Sequence, residues 1–240
     1  MVKRGLARSR SEAADLIARR LVVVGGAVAD KPSRLVAADD NIALKPEPPR
    51  FVSRGGLKLE AALRRFRVEV AGKICLDIGS STGGFVDCLL SHGARKVFAV
   101  DVGRAQLADK LRRDSRVVVL EGVDARDLTR ALVPEPIDLV TVDVSFISVK
   151  LVVPPTLELV RPGANYIVLI KPQFEAGKGE VPRGGVVRSP DVHRRVLLDV
   201  TNALQELRLS LGGIMCSPIP GREGNLEYLS HWVYTQEIAS

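Results

Sequence analysis

Apolar residues are spaced in two ways along this chain, and the spacing predicts its elements. After about residue 55, short continuous apolar runs alternate with stretches in which apolar residues recur every three or four positions. The runs predict strands buried on both faces, and the second spacing predicts amphipathic helices. Strands are predicted over 74–78, 96–101, 117–120, 137–143, 165–170, 211–217 and 228–235. Helices are predicted over 56–66, 84–91, 105–113, 127–133, 148–160 and 190–208, with a long loop over 172–189.

The alternation of strands and helices indicates an α/β fold. It is typical of a mainly parallel, Rossmann-like sheet with helices on both faces. In such a sheet the carboxyl ends of neighbouring strands meet at one edge, and ligands bind there. Candidate chemistry is therefore sought among residues that directly follow an apolar run.

The first 45 residues have a different pattern. Ser9 and Glu12 have the spacing of a helix capping box, which predicts a helix over about 10–20. Short apolar runs separated by turn residues follow and predict a small sheet. Three prolines within 46–49 can continue neither a helix nor a central strand. We therefore predict a small α+β domain over 1–45, a linker over 46–54 and a larger α/β domain over 55–240.

The excess positive charge is concentrated at the amino-terminal end. The net charge is +7, and residues 1–60 carry 12 of the 35 Lys and Arg but only 7 of the 28 Asp and Glu. A basic module of this kind indicates binding to a polyanion, although a merely solvated basic face would look the same. Hydrophobic residues make up 46% of the 240 residues, which excludes global disorder.

Cysteines and apolar stretches bear on the compartment. The three cysteines form no CxxC pair or Cys/His cluster, so the sequence suggests neither a disulfide framework nor a metal site. No apolar run is long enough to span a bilayer, and charges interrupt the first 20 residues where a secretion signal would need an apolar centre. We expect a cytoplasmic protein without a membrane span. The oligomeric state stays open.

The sharpest motif is a glycine-rich turn between a predicted strand and a predicted helix. Glycines at such a turn let the backbone approach a ligand closely, and an acidic residue about 20 positions later can bind ribose hydroxyls. Asp101 stands 22 residues after Gly79, at the end of the next strand. An acidic residue before the turn favours a cationic or amino-bearing ligand, and S-adenosylmethionine carries both groups. The candidate residues are Asp77, Gly79, Ser80, Ser81, Thr82, Gly83, Gly84, Phe85 and Asp101.

Asp124 follows the third predicted strand of the larger domain. This edge of a doubly wound sheet lies beside the base of a bound nucleotide-like ligand. Asp124 is therefore a candidate cofactor residue, and it is equally well explained as the cap of a short helix.

Two opposite charges end neighbouring apolar strands. Asp143 ends one strand and Lys171 the next, so both belong at the ligand edge of the sheet. A charge at the end of a buried strand needs a partner, so a purely structural ion pair explains them as well. Lys58 lies at the start of the helix that precedes the first strand of the larger domain, and Glu227 lies just before its last strand. Taken singly, each would be a surface charge.

Taken together, Lys58, Asp143, Lys171 and Glu227 resemble the catalytic tetrad of FtsJ-type ribose 2′-O-methyltransferases. Several phrases resemble the TlyA family more narrowly: Val52–Gly56, Leu76–Phe85, Asp143–Ser148, Lys171–Glu175, Gly184–Val187, Ser217–Gly221 and Asn225–Tyr228. The resemblance implies an S-adenosylmethionine-dependent enzyme that methylates ribose in ribosomal RNA. It also implies catalytic roles for the four charged residues and a place near the methyl donor for Asp143. Lys171 would act on the hydroxyl, either as a base or as a charged stabiliser of the oxygen.

The first 45 residues resemble the RNA-binding domain first seen in ribosomal protein S4. The phrases Gly5–Arg10 and Ala13–Ile17 carry this likeness, whereas Arg20-Leu-Val departs from the usual Gly-x-Val. The resemblance implies ribosomal RNA, or a ribosomal subunit, as partner. Phe51 in the linker would pack between the domains or sense RNA. The predicted RNA-binding residues are Lys3, Arg4, Arg8, Arg10, Arg19, Arg20, Arg50 and Arg54.

Three other functions stay open from the sequence. The TlyA family is often labelled hemolysin, which would mean a membrane-active protein, although no span or signal supports it. A non-catalytic RNA-binding factor would not need the four charges. A methyltransferase of small molecules or proteins would not need the basic first domain.

Overall fold

The computed structural model describes residues 1–37, 39–45, 49–177 and 179–235. It divides into two compact units, Met1–Arg50 and Phe51–Ser240. The predicted linker over 46–54 straddles this division. Its residues 46–48 lie outside the described residues, as do residues 236–240 of the predicted larger domain. The larger unit begins at 51 rather than 55 because the Phe51 ring is buried in its core.

The smaller unit contains an α-helix, a short 3₁₀ helix (Val2–Arg4) and a three-stranded antiparallel sheet. Helix α1 (Arg10–Ala18) begins where the capping box predicted it, since Ser9 Oγ accepts a hydrogen bond from the Glu12 amide at 3.1 Å. Strand β1 (Val22–Val24) lies between β2 (Ala27–Val28) and β3 (Ile42–Leu44). Its small core consists of Ile17, Val22, Val24 and Ala29.

The larger unit is built on one seven-stranded sheet. The strands are β4 (Ile74–Ile78), β5 (Lys96–Asp101), β6 (Val117–Glu121), β7 (Ile137–Val142), β8 (Val160–Ile170), β9 (Leu209–Cys216) and β10 (Tyr228–Tyr234). Their order is β6-β5-β4-β7-β8-β10-β9. The first five are parallel, and β10 runs antiparallel to both β8 and β9. The carboxyl ends of β4, β7 and β8 therefore meet at one edge, beside the start of β10.

Helices cover both faces of this sheet. They are α2 (Gly55–Phe66), α3 (Gly84–Ser91), α4 (Asp109–Arg112), α5 (Val149–Val152), α6 (Pro172–Glu175) and α7 (Pro190–Glu206). Side chains alternate between two cores along each strand, as pleating requires. On β4, Leu76 packs into the core that includes α7, whereas Cys75 packs into the core that includes α2 and α3. The predicted α/β class is confirmed.

Three predicted helices are much shorter than their patterns suggested. The segment predicted as 105–113 is helical only at α4, because Glu121 accepts the amides of residues 105–107 and holds them in a loop. The segment predicted as 127–133 forms no helix, and a 3₁₀ turn, Ala125–Asp127, ends where that helix was predicted to begin. The segment predicted as 148–160 is broken by Pro154 and Pro155, and β8 begins at Val160 rather than at 165.

The start of α2 packs unusually closely against its surroundings. A Cβ at Gly56 would lie 2.4 Å from the Phe51 ring. A Cβ at Gly84, the first residue of α3, would lie 2.2 Å from Ser53 Oγ and 3.0 Å from the Gly56 amide nitrogen. Glycine at both positions therefore lets the two helix starts touch, and this contact brings α2 to the ligand edge of the sheet.

Substituting alanine for Gly56 tests this packing. Gly56→Ala should lower the free energy of unfolding in urea by about 1–3 kcal/mol, because the added methyl group must displace the Phe51 ring. Gly184→Ala is the matched control, since a Cβ there meets nothing within 4 Å. Equal stability of the two variants would contradict the packing argument.

Candidate active site

The ends of the two central strands meet at Gly79. This residue has a φ of +83°, and a Cβ on it would lie 2.4 Å from the backbone oxygen of Asp143. The Asp143 amide donates to the carbonyl of Ile78 at 2.9 Å. Only glycine combines this backbone conformation with so close an approach. The glycine loop after β4 therefore lies directly against the carboxylate that follows β7.

Asp77 lies inside β4 and is fully buried. Thr141 Oγ1 donates to its Oδ1 at 2.5 Å, while Oδ2 is buried without a hydrogen-bond partner. Burial, with a smaller contribution from the charges of Asp143 and Asp101, raises the pKa of this carboxyl to about 7. The hydrogen bond from Thr141 lowers the pKa and offsets part of this rise. A buried acceptor without a partner is costly and is a place for a ligand or water to donate.

Two cavities open at this edge of the sheet. One, of about 420 Å³, lies beside the ends of β5 and β6 and is lined by Asp101, Asp124 and apolar side chains. The other, of about 660 Å³, is lined by residues of α2, the glycine loop, α6 and the segment before β10. They share five lining residues: Gly79, Ser81, Asp143, Ser145 and Phe146. The glycine loop and Asp143 thus form the boundary between two connected spaces.

Lys171 forms an ion pair with Asp143 at this boundary. Its Nζ lies 2.6 Å from Asp143 Oδ1 and donates to Ser145 Oγ at 3.0 Å. The two charged side chains are only 12% and 23% exposed, so water screens the pair little. An ammonium group has three N–H donors, and the hydrogen bond to Ser145 uses one of them.

Lys58 and Glu227 form a second pair in the larger cavity. Lys58 Nζ donates to Glu227 Oε2, and both side chains are almost fully buried. The pair joins the start of α2 to the residue before β10, which are 169 positions apart in the chain. All four charges predicted from the sequence therefore line one cavity.

Comparison with known proteins identifies the architecture. Residues 51–234 match the FtsJ-like methyltransferase family, and residues 1–42 match the S4 domain. A Mycobacterium tuberculosis protein named 16S/23S rRNA (cytidine-2′-O)-methyltransferase TlyA is 46% identical, covering 98% of this chain and 88% of that one. Hemolysin A of Brachyspira hyodysenteriae is 41% identical, covering 95% of both chains. A solved structure of a Streptococcus thermophilus protein that carries the hemolysin name has a TM-score of 0.77 and 40% identity, covering 98% of this chain and 86% of that one.

This chain belongs to the TlyA family of FtsJ-like methyltransferases. The resemblance predicted from the sequence is thereby confirmed, as are the Rossmann-like fold of the larger domain and the S4-type domain at the amino terminus. Family membership makes the chain an enzyme of the methyltransferase class.

Nine of the eleven cofactor residues predicted for this TlyA-family chain line one or both cavities. They are Gly79, Ser80, Ser81, Thr82, Gly84, Phe85, Asp101, Asp124 and Asp143. Asp77 and Gly83 are not among the lining residues. Asp77 is buried within β4. Ser80 contributes a second buried oxygen without a partner, its Oγ.

The carboxylates at the ends of β5 and β6 hold the cavity walls in place. Asp101 accepts from the Ser81 amide at 2.8 Å and from the Gly103 amide at 2.7 Å. Asp124 caps the 3₁₀ turn by accepting from the Arg126 amide, and the guanidinium of Arg126 lowers the pKa of this carboxyl to about 2. Asp124 is thus a helix cap, as the structural alternative proposed, and it also lines the cavity.

Several residues of the site were missed by the sequence analysis. Glu121 is half-buried and lines neither cavity, but it accepts from the amide of Gln106, which lines the smaller one. Arg112 together with three backbone amides lowers the pKa of the Glu121 carboxyl to about 2. Phe146 lies 91% exposed between the cavities with a φ of +65°, packed against Phe174 at 4.9 Å between ring centroids. A positive φ is an outlier for so bulky a residue. Only the phrase Asp143–Ser148 signalled Phe146 and Ser145, and nothing in the spacing singled out Glu121.

A hydrogen-bonded clamp joins the long loop before α7 to the segment before β10. Asn225 is buried, its Oδ1 accepts from the Val187 amide at 3.0 Å, and its Nδ2 donates to the Gly185 carbonyl at 2.8 Å. The amide of Gly221 donates to the Asn225 carbonyl at 2.8 Å. The clamp fixes the wall of the larger cavity two residues before Glu227.

The predicted RNA-binding side chains are all exposed. Arg8 pairs with Glu12 at 3.0 Å and Arg19 with Asp15 at 3.5 Å, each one helical turn away. Arg4 donates to the carbonyls of Ala37 and Asp40 in the smaller unit. The other five are Lys3, Arg10, Arg20, Arg50 and Arg54. Of the eight, only Arg54 lines the larger cavity.

The raised pKa of Asp77 predicts a pH-dependent stability. A carboxyl whose pKa is about 7 in the folded protein, against an ordinary value of 3.8, binds more protons folded than unfolded. Its contribution to stability is present below pH 4 and is lost as the pH rises through 7. Asp77→Asn cannot ionise, so its stability in urea relative to wild type should increase by about 2 kcal/mol from pH 5.5 to pH 8. Exposed Asp109→Asn is the control, and an equal response of both variants would refute the assignment.

The buried Lys58–Glu227 pair predicts a non-additive double substitution. Glu227→Leu alone leaves a buried ammonium without a partner and should cost about 3 kcal/mol or more of unfolding free energy. Combining it with Lys58→Met should restore much of that loss, because no buried charge then remains. Urea unfolding of the two single variants and the double variant measures the coupling. Additive losses would show that the pair is not coupled in solution.

Proposed function

We propose that this chain transfers a methyl group from S-adenosylmethionine to a ribose 2′-hydroxyl of ribosomal RNA. The observation that carries the proposal is the meeting of Lys58, Asp143, Lys171 and Glu227 in one cavity beside the glycine loop. The relative from M. tuberculosis is named for cytidine-2′-O methylation of 16S and 23S rRNA. Its 46% identity over nearly the whole chain supports the same reaction here.

The residues around the glycine loop fit S-adenosylmethionine. The smaller cavity offers Asp101 for ribose hydroxyls and apolar walls, including Val100 and Val123, for a flat base. Asp77 Oδ2 and Ser80 Oγ are buried without a hydrogen-bond partner, and they would accept from the amino group of the ligand directly or through a water. When bound, S-adenosylmethionine would supply a methyl group attached to a sulfonium. The bonding electrons stay on sulfur when the methyl group is transferred. Asp143 would lie near that methyl, because it borders both cavities.

The larger cavity would take the ribose that accepts the methyl group. Lys171 keeps one N–H free beyond its contacts with Asp143 and Ser145, and this donor can hold the 2′-oxygen by a hydrogen bond. Holding the two reactants in line supplies much of the rate of a group transfer. The positive charge of Lys171, held beside Asp143, can also stabilise negative charge on the oxygen as its proton passes to solvent water. Lys58 and Glu227 form the facing wall.

The S4-type domain supports an RNA acceptor over a small molecule or a protein. Its exposed cations can contact phosphates, and such contacts give affinity that falls with salt. An acceptor in ribosomes also makes the cytoplasm the expected compartment. The hemolysin name belongs to relatives, and the helices within the described residues include none long and apolar enough to cross a membrane.

Replacement of Lys171 tests the proposed reaction. Lys171→Ala should abolish transfer of labelled methyl from S-adenosylmethionine to purified ribosomal subunits and naked rRNA, a loss of at least a thousandfold. Cofactor binding measured by calorimetry should stay within a few-fold of wild type, because Lys171 lines the acceptor cavity only. Lys73 precedes the amino end of β4 and lines neither cavity, so the control variant Lys73→Ala should methylate normally. Normal methylation by Lys171→Ala would overturn the assignment of the tetrad.

A further inference from the structure

A groove on the larger unit lies next to the larger of the two cavities, which is the catalytic cavity of the proposed reaction. The groove has no part in the reaction described so far. It measures about 760 Å³, and its lining residues include Arg188, His193, Arg194 and Tyr228. Glu223 lines both this groove and the catalytic cavity. A chain that passes through the catalytic cavity can therefore continue into the groove. We call this space the flank groove.

The floor of the flank groove is apolar and rigidly held. His193 Nε2 lies 2.9 Å from the carbonyl of Val187, and its Nδ1 lies 3.0 Å from the hydroxyl of Tyr228. The two rings pack edge to face with 5.7 Å between centroids. The Asn225 clamp holds the Val187 segment from the other side. Leu226, 43% exposed, adds an apolar surface that the fold itself does not cover.

The rim of the flank groove carries two arginines that pair with no carboxylate among the described residues. Arg188 and Arg194 are exposed, and the described part of the chain offers neither of them a carboxylate within 4 Å. The adjacent Arg195 does pair, with Glu180. Glu223, at the border with the catalytic cavity, is the one carboxylate among the described lining residues. Two free guanidinium groups above an apolar floor match the two parts of a nucleotide, its phosphate and its base.

We propose that the flank groove binds the nucleotide next to the one that is methylated, in a single-stranded stretch of RNA. Arg188 and Arg194 contact its phosphates, and the floor takes the face of its base. The inference rests on the proposed function, because an RNA whose ribose occupies the catalytic cavity must continue on both sides of it. Sequence-tolerant contacts of this kind are how proteins hold single strands. The catalytic unit thus has a phosphate contact of its own, separate from the S4-type domain.

A charge-matched pair of double variants tests the flank groove. Arg188→Ala/Arg194→Ala should raise KM for rRNA about tenfold and leave kcat and cofactor affinity unchanged. The slope of log KM against log salt should fall by about 1.4, the value for two phosphate contacts on a single strand. Arg64→Ala/Arg65→Ala removes the same charge from the exposed last turn of α2 and should change KM less than twofold. Arg188→Lys/Arg194→Lys should restore most of the affinity.

Each other outcome has a defined meaning. Equal KM values for the two alanine pairs would overturn the flank groove, because net charge alone would then explain the effect. A lower melting temperature or weaker cofactor binding in the groove variant would also overturn it, since the two arginines would then be structural. Absence of methylation by the wild type on subunits and naked rRNA would instead refute the proposed function, which separates the two failures.

Discussion

The backbone of Gly79 lies against the carbonyl of Asp143, and the geometry of the catalytic edge follows from this contact. It brings the end of β4 against the end of β7, so that the glycine loop and the Asp143 carboxylate form one boundary between two cavities. A side chain at Gly79 would force these ends apart and open the boundary. The central strands, rather than the surrounding loops, therefore fix the distance between the two cavities, which we propose hold the methyl donor and the acceptor.

The same edge concentrates charges that the fold must balance. Lys58 with Glu227 and Lys171 with Asp143 form two pairs whose side chains are poorly exposed, and each pair joins elements distant in sequence. Buried pairs gain little stability because both ions lose their hydration. Their value here lies in position: each charge stays at a fixed place and is ready for a substrate. Asp77 differs, because its second oxygen has no partner and the cost of its burial appears as a raised pKa.

Much of this arrangement could be predicted from the sequence, and the reasons are physical. Apolar runs gave the strands, and strand ends in a parallel sheet must meet, so Asp143 and Lys171 were predictable as neighbours. Lys58 and Glu227 depended on a resemblance, because a packed helix start and an antiparallel last strand bring them together over 169 positions.

What could not be predicted depends on contacts across space. Glu121 turns the predicted helix over 105–113 into a loop by accepting its first amides, and no local pattern signals that. Phe51 looked like a linker residue, yet its ring fills the space that Gly56 leaves open. The flank groove likewise draws on three separate segments, before and within α7 and around the start of β10.

The most direct test of the account is the chemical position of the transferred methyl group. Ribosomal subunits would be incubated with the enzyme and isotopically labelled S-adenosylmethionine, digested to nucleosides and analysed by mass spectrometry. We expect the label on the ribose of a 2′-O-methylated nucleoside. In the intact RNA, the phosphodiester on the 3′ side of that nucleotide should resist alkaline cleavage. Label on a base, or on ribosomal protein, would contradict the account.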